Sequence, residues 1–232
     1  MLQNQSICLL IPTLNEEEGL RVVLESLPKY IDRVLVIDGD SKDRTNEVAK
    51  EFKADVIIER RRGYGRALRT GFENIKEDWV VTLDSDGTYP TSEIEDFVSY
   101  AIRKNFKFVS ASRFPLLNPE SVSQRNFLGN TLITWLTNFL FHTKMVDGSS
   151  GMWVIHKSAL PLFKFYKDDW LFSNEIKIAA ALHPNIGFHE HAIEFLPRVG
   201  ETKANHPWLI GLALLFYLTY KKLFMKKLVI KN

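Results

Sequence analysis

Asp84-Ser85-Asp86 sets two carboxylates one residue apart, directly after the apolar run at residues 79–83. At the end of a buried strand both groups can reach one divalent ion. All-oxygen ligation suits Mg2+ or Mn2+, which keeps few protein carboxylates and fills its other positions from a substrate diphosphate. Two further apolar runs end in similar loops: residues 7–11 lead into Pro12-Thr13-Leu14-Asn15-Glu16, and residues 34–37 into Asp38-Gly39-Asp40-Ser41. Ligands of open parallel sheets bind at the carboxyl ends of the strands. Three such loops would crowd acids along one edge, a repulsion that a cation or hydrogen-bond donors must offset.

Two basic stretches are candidates for meeting anions. Arg60-Arg61-Arg62-Gly63-Tyr64-Gly65-Arg66 leads into a helix, where glycines permit close backbone approach and the N-terminus favours negative charge. It reads equally as a solvated basic loop, and it lacks the Gly-Lys-Ser/Thr of a P-loop. Arg198-Val199-Gly200-Glu201-Thr202-Lys203 offers a guanidinium fork and an ammonium to phosphate oxygens, or is a plain surface loop. His183, His189 and His191 lack cysteine partners, so zinc is not expected. Cys8 lies inside an apolar run and reads as packing.

The elements that must position these residues alternate. Strand-like runs at residues 7–11, 34–37, 55–58, 79–83 and 106–110 are separated by helical patterns at 43–53, 66–75 and 91–103, with Leu20, Val23, Leu24 and Leu27 marking a first helix. This βαβ rhythm predicts an α/β fold with a mostly parallel central sheet flanked by helices. Residues 114–123 read as a loop, 125–142 as an unusually apolar helix, 172–182 as a helix and 187–196 as a strand. The apolar helix reads as a core element or as one that touches lipid.

The 232 residues are 45% hydrophobic and 25% charged, which excludes a disordered chain or a collagen. A net charge of +2 leaves no global basic field for nucleic acid. The single cysteine points to a reducing compartment, and no leader-like segment opens the chain. Residues 206–232 hold five lysines and no acid, so the division expected is a catalytic domain at 1–205 and an apolar, Lys-rich C-terminal helix at 206–232. Its apolar stretch, residues 208–220, is shorter than the ~20 residues a spanning helix needs. It is expected to lie on a membrane or pack on a core, which places the protein in the cytoplasm, peripheral at the cytoplasmic face of a membrane.

Taken in order, these stretches resemble the family 2 glycosyltransferases of the GT-A (Rossmann-like) fold, and within them the dolichyl-phosphate mannosyltransferase and polyprenyl-phosphate glycosyltransferase branch. The resemblance is carried by residues 11–16, 36–45, 63–67 and 83–90, then by Ser112-Arg113-Phe114, Asp147, Ser150-Gly151-Met152, Glu190 and residues 198–203. It implies an inverting, metal-dependent transfer from a nucleotide diphosphate sugar of the GDP-mannose or UDP-glucose type to a polyprenyl or dolichyl phosphate. It implies that Pro12, Leu14, Glu16, Ile37 and Asp38 hold the nucleoside. Asp84 and Asp86 match the metal-binding acid pair, with Ser85 and Thr88 beside the donor. Arg113, Arg198 and Lys203 match positions that face donor or acceptor phosphates, and Asp147 one that orients the acceptor, so the catalytic set is Asp86, Asp147 and Arg198. The second strand ends Asp38-Gly39-Asp40-Ser41 where the family commonly has Asp-Asp-Gly-Ser, and Thr88 stands where mannosyltransferases of the branch often have Gln. The competing readings are a glycosyltransferase of this fold with a soluble or glycan acceptor, a nucleotidyltransferase, and a non-catalytic membrane-peripheral binding module.

Overall fold

The computed structural model describes residues 1–116, 118–200 and 207–224. Seven strands form one sheet in the order β3-β2-β1-β4-β6-β5-β7. They are β1 (Ile7–Thr13), β2 (Arg33–Asp38), β3 (Asp55–Ile58), β4 (Trp79–Thr82), β5 (Phe108–Ser112), β6 (Trp153–His156) and β7 (Phe188–Ala192). The helices are α1 (Glu17–Glu25), α2 (Thr45–Glu51), α3 (Tyr64–Phe72), α4 (Ile94–Lys104), α5 (Gln124–Phe141), α6 (Phe172–Leu182) and α7 (Pro207–Phe224). The α/β fold with a mostly parallel sheet is the one expected. β6 breaks the parallel rule, pairing antiparallel with both β4 and β5, and it was not expected from the sequence. Four residues ending in His156 give too little pattern to read as a strand.

Every residue of β1 is buried, because helices cover both faces of the sheet. One core packs Leu20, Val23 and Phe97 from α1 and α4 over β1 and β4. The other packs Leu68, Phe72, Phe172 and Ile176 from α3 and α6 under the sheet. A third cluster joins Met145, Leu171 and Ile178 to Leu214, Tyr217 and Leu218 of α7, with Ile133, Leu136 and Leu140 of α5 packed against it.

α5 turns its polar residues inward. Asn130, Thr134 and Thr137 are buried, while Leu128, Leu132, Trp135 and Phe139, spaced four, three and four apart, are each more than 60% exposed. The core reading of this helix therefore holds for the side facing α7 and fails for this stripe. No helix among the described residues is long and apolar enough to cross a membrane. The boundary expected at 205/206 and the lysines at 226 and 227 lie outside the described residues. Lys221, expected to reach outward, is buried instead and faces Glu175 at 3.8 Å. An ammonium drawn off the surface at this point satisfies a buried acid.

Candidate active site

Register brings the polar loops level. Thr13 of β1 pairs with Asp38 of β2, and Leu10 of β1 with Thr82 of β4, so residues 12–16, 38–41 and 84–88 leave the sheet along one edge. β6 adds a fourth loop. The Thr82 hydroxyl donates to the Gly151 carbonyl at 2.8 Å and accepts from the Trp153 amide at 3.0 Å, which pins residues 148–152 against the end of β4. A Cβ on Gly151 would lie 3.0 Å from both Asp84 oxygens and 2.8 Å from the Tyr64 hydroxyl. Only a glycine leaves this acid its space.

The two acids of the pair have different neighbours. Asp84 Oδ1 accepts from the Tyr64 hydroxyl at 2.9 Å. Asp86 Oδ1 accepts from the amide and hydroxyl of Thr88 at 3.1 and 2.7 Å, and its Oδ2 from Arg198 at 2.5 Å. The other arm of Arg198 reaches Glu16 Oε1 at 2.5 Å, so one guanidinium spans the loops after β1 and β4. Burial and the neighbouring charge of Asp86 push the Asp84 carboxyl up to about 7, against the opposing pull of Tyr64, Arg113 and Arg198. A carboxylate so disfavoured wants a cation. The all-oxygen donors Asp84 and Asp86 fit a hard divalent ion that takes its remaining ligands from a substrate. Among the described residues no cluster of three or more acids, histidines or cysteines could cage a metal by itself.

Beyond β5 stands a second charged unit. Asp147 is fully buried. Its oxygens accept from Arg113 Nε at 2.7 Å and NH2 at 2.8 Å, from the Arg113 amide at 3.1 Å, from Asn130 at 3.1 Å and from the Ser149 amide at 3.1 Å. Burial alone would raise this carboxyl, yet Arg113 holds it well below the usual range. Lys177, also fully buried, donates to the Asp147 carbonyl, and Glu190 accepts from the Val146 and Asp147 amides at 2.5 and 3.0 Å. Asp147, expected beside the acceptor, thus has its lone pairs committed inside the protein, and the group it orients is Arg113. From Phe114 a groove of about 580 Å3 runs along α5, lined by Pro115, Leu116, Phe127, Thr131, Trp135 and Val146.

The remaining expected residues fall in several places. Leu14 is 45% exposed on the rim, while Pro12, Ser85 and Thr88 are buried beneath the edge. Asp38 is buried and accepts from the Ser41 amide at 2.9 Å, the Ser41 hydroxyl and Asn46 at 3.0 Å. Asp40 turns out to Lys42 at 2.7 Å. Ile37, expected at the donor, has no exposed side chain and packs under the sheet, because strand alternation points it away from the edge loops. Lys203 lies outside the described residues. His189 meets the Tyr100 hydroxyl at 2.9 Å and stacks on Phe106, and His191 packs edge-on to Phe97.

The glycines of residues 63–65 do not cradle an anion. A Cβ on Gly63 would lie 2.0 Å from the Asp168 carbonyl, and one on Gly65 2.5 Å from Phe172. The arginines nearby are taken within the protein: Arg61 by Glu59 at 2.6 Å, Arg66 and Arg69 by Asp168 at 2.7 and 2.8 Å. Sequence reasoning gave no role to Tyr64, which holds Asp84 and stacks on Trp170 at 4.8 Å. Its only signal was its place between the two glycines.

The chain is similar to known proteins. A profile described as glycosyl transferase family 2 matches residues 8–162. The chain is 31% identical over 148 residues to glycosyltransferase AglJ of Haloferax volcanii, which covers 63% of this chain and 48% of that protein. It is 29% identical over 211 residues to a dolichyl-phosphate hexose transferase of the same organism, covering 90% of each. The chain therefore spans about half the length of the first relative and nine-tenths of the second. In structure it is similar to glucosyl-3-phosphoglycerate synthase from Mycobacterium tuberculosis, crystallised with Mn2+, UDP and glucosyl-3-phosphoglycerate. The TM-score is 0.71 at 17% identity, over 94% of this chain and 80% of that one, a likeness of fold.

Proposed function

The chain belongs to glycosyl transferase family 2 and is a glycosyltransferase, and on that premise we propose that it moves a hexose from a nucleotide diphosphate sugar to a polyprenyl phosphate. One observation carries the reading: Asp84, Asp86, Glu16 and Arg198 meet at a single sheet edge, with Arg113 and an apolar groove beside them. The likeness to a dolichyl-phosphate hexose transferase over 90% of both chains supports the acceptor class.

A divalent cation, Mg2+ or Mn2+, held by Asp84 and Asp86 would supply positive charge to the departing diphosphate. Leu14 and Glu16 border the nucleoside. Arg198 faces the diphosphate once its contacts with Asp86 and Glu16 are exchanged for phosphate oxygens. Arg113, fixed by Asp147, meets the acceptor phosphate and offsets its repulsion from the donor. The acceptor oxygen attacks the anomeric carbon from the face opposite the leaving group, so the new bond forms as the old one breaks and the configuration inverts. A phosphate monoester is largely ionised at neutral pH (second pKa ~6), so no general base is needed, in keeping with the committed lone pairs of Asp147. The groove along α5 takes the first isoprenoid units. The exposed stripe of Leu128, Leu132, Trp135 and Phe139 rests on the cytoplasmic face of a membrane.

The test is transfer by the purified protein from GDP- and UDP-hexoses to polyprenyl phosphate, against water-soluble acceptors, with Mn2+, Mg2+ or EDTA. Transfer to the lipid phosphate that EDTA abolishes supports the reading. Transfer only to soluble acceptors, or undiminished in EDTA, overturns it.

A further inference from the structure

The segment between the 3-10 turn after β6 and the start of α6 connects two distant parts of the molecule. On one side it is locked to α3. The Asp168 carbonyl accepts from the Arg66 amide at 3.0 Å, its carboxylate takes Arg66 and Arg69, and Trp170 stacks on Tyr64. On the other side it is held by Glu175, which is fully buried. Glu175 Oε2 accepts from the Tyr166 and Lys167 amides at 3.0 and 2.9 Å. Its Oε1 accepts from the Tyr217 hydroxyl of α7 at 2.8 Å, and Lys221 donates to that same hydroxyl at 2.9 Å.

We propose that Glu175 is a positioning residue that ties the seating of α7 to the placement of Asp84, through residues 166–170 and Tyr64. The path is short and each link is a specific contact. α7 holds one oxygen of Glu175, the other oxygen holds the segment's backbone, the segment packs without a gap against the glycines that open α3, and the first side chain of α3 donates to Asp84. A buried carboxylate stripped of the donors on one oxygen is left partly unsatisfied, a cost that movement of its remaining partners relieves. Drawing α7 away thus loosens the segment, the stacked ring pair and the acid beside the donor. This rests on the reading of Asp84 as a metal ligand only in its last link.

The test uses the full chain with Tyr217→Phe, which removes one hydroxyl, alone and combined with Tyr64→Phe. Amide hydrogen exchange without added metal reads the first links. The expected result is that Tyr217→Phe speeds exchange of the Arg66 amide about threefold or more, although that amide lies in α3 and not in α7. Exchange that quickens in α7 and at Tyr166 and Lys167 while Arg66 stays at the wild-type rate overturns the coupling. Mn2+ titration by electron paramagnetic resonance reads the last link. Tyr217→Phe is expected to shift the Mn2+ affinity about fivefold, the low end of coupling between sites, and less than about twofold when Tyr64 is already Phe. An equal shift in both backgrounds, or none in either, overturns it. Faster Arg66 exchange in Tyr217→Phe, together with a wild-type chain that binds no Mn2+, refutes the metal ligand and leaves the tie between α7 and Tyr64 supported.

Discussion

Replacing Asp84 by asparagine should make the metal-free protein more stable above neutral pH and less able to bind metal. The Asp84 carboxyl sits at about 7 instead of its ordinary 3.8. At about 1.36 kcal/mol per unit, that displacement of roughly three units has a ceiling of about 4 kcal/mol. Partial exposure and solvent screening reduce it to about 1–3 kcal/mol. The sign follows from proton counting. Between pH 4 and 7, approximately, the native state keeps a proton that the unfolded chain has released, so wild-type stability falls as pH rises through that window. Asparagine has no such proton, and its carbonyl still accepts from Tyr64. In EDTA the two proteins should melt alike near pH 4. Near pH 8 the variant should melt about 2–12 °C higher, at roughly 2–4 °C per kcal/mol for a chain of this size. Saturating Mn2+ at pH 8 should raise the wild-type midpoint and leave the variant unchanged. Differential scanning calorimetry from pH 4 to 8 makes the measurement. A variant less stable than wild type at pH 8, or a gap independent of pH, refutes the crowding of the acids, and a wild-type midpoint that Mn2+ leaves unmoved refutes the cation that relieves it.

Three further outcomes follow from the site. Gly151→Ala puts a methyl 3.0 Å from both Asp84 oxygens and 2.8 Å from the Tyr64 hydroxyl; this crowding should cost about 1–3 kcal/mol of stability and lower Mn2+ affinity about tenfold, and unchanged affinity would show that Asp84 has room elsewhere. Asp147→Asn leaves the Arg113 guanidinium buried without its counter-charge and should cost about 3–5 kcal/mol in urea denaturation; a loss under 1 kcal/mol would mean that the pair is not what fixes Arg113. Leu132→Ser with Trp135→Ser should cut flotation with anionic liposomes severely and spare the fold, since both residues are exposed; flotation equal to wild type would remove α5 from the membrane contact.

How much of this was legible in the chain depends on how local each signal is. The apolar runs of β1, β2 and β4, each closing on an acidic or polar loop, fix three strand ends by pattern alone. Parallel pairing then brings those ends to one edge, which is why Asp84, Asp86 and Glu16 were found from the sequence. Helix α6 was bounded correctly because its apolar spacing is regular. The contacts that decide chemistry between distant segments left no such trace. The role of Tyr64 depends on a hydroxyl that crosses from α3 to β4. Arg198 was read as a phosphate ligand, but its grip on Glu16, 182 positions away, appears only in the folded chain.

The apolar helix at residues 124–141 shows the limit most clearly. Its composition says that it buries surface, and composition does not say against what. Only tertiary packing assigns Asn130 and Thr134 to the loop at 147–148 and turns Leu128 and Trp135 outward. The lysines that follow residue 220 read as facing a membrane surface, yet one of them closes a buried pair with Glu175. Sequence determines which groups are available and, through period and register, which sheet edge they reach. Which charge meets which depends on segments far apart in the chain arriving at one place, where burial makes an unpaired ion costly.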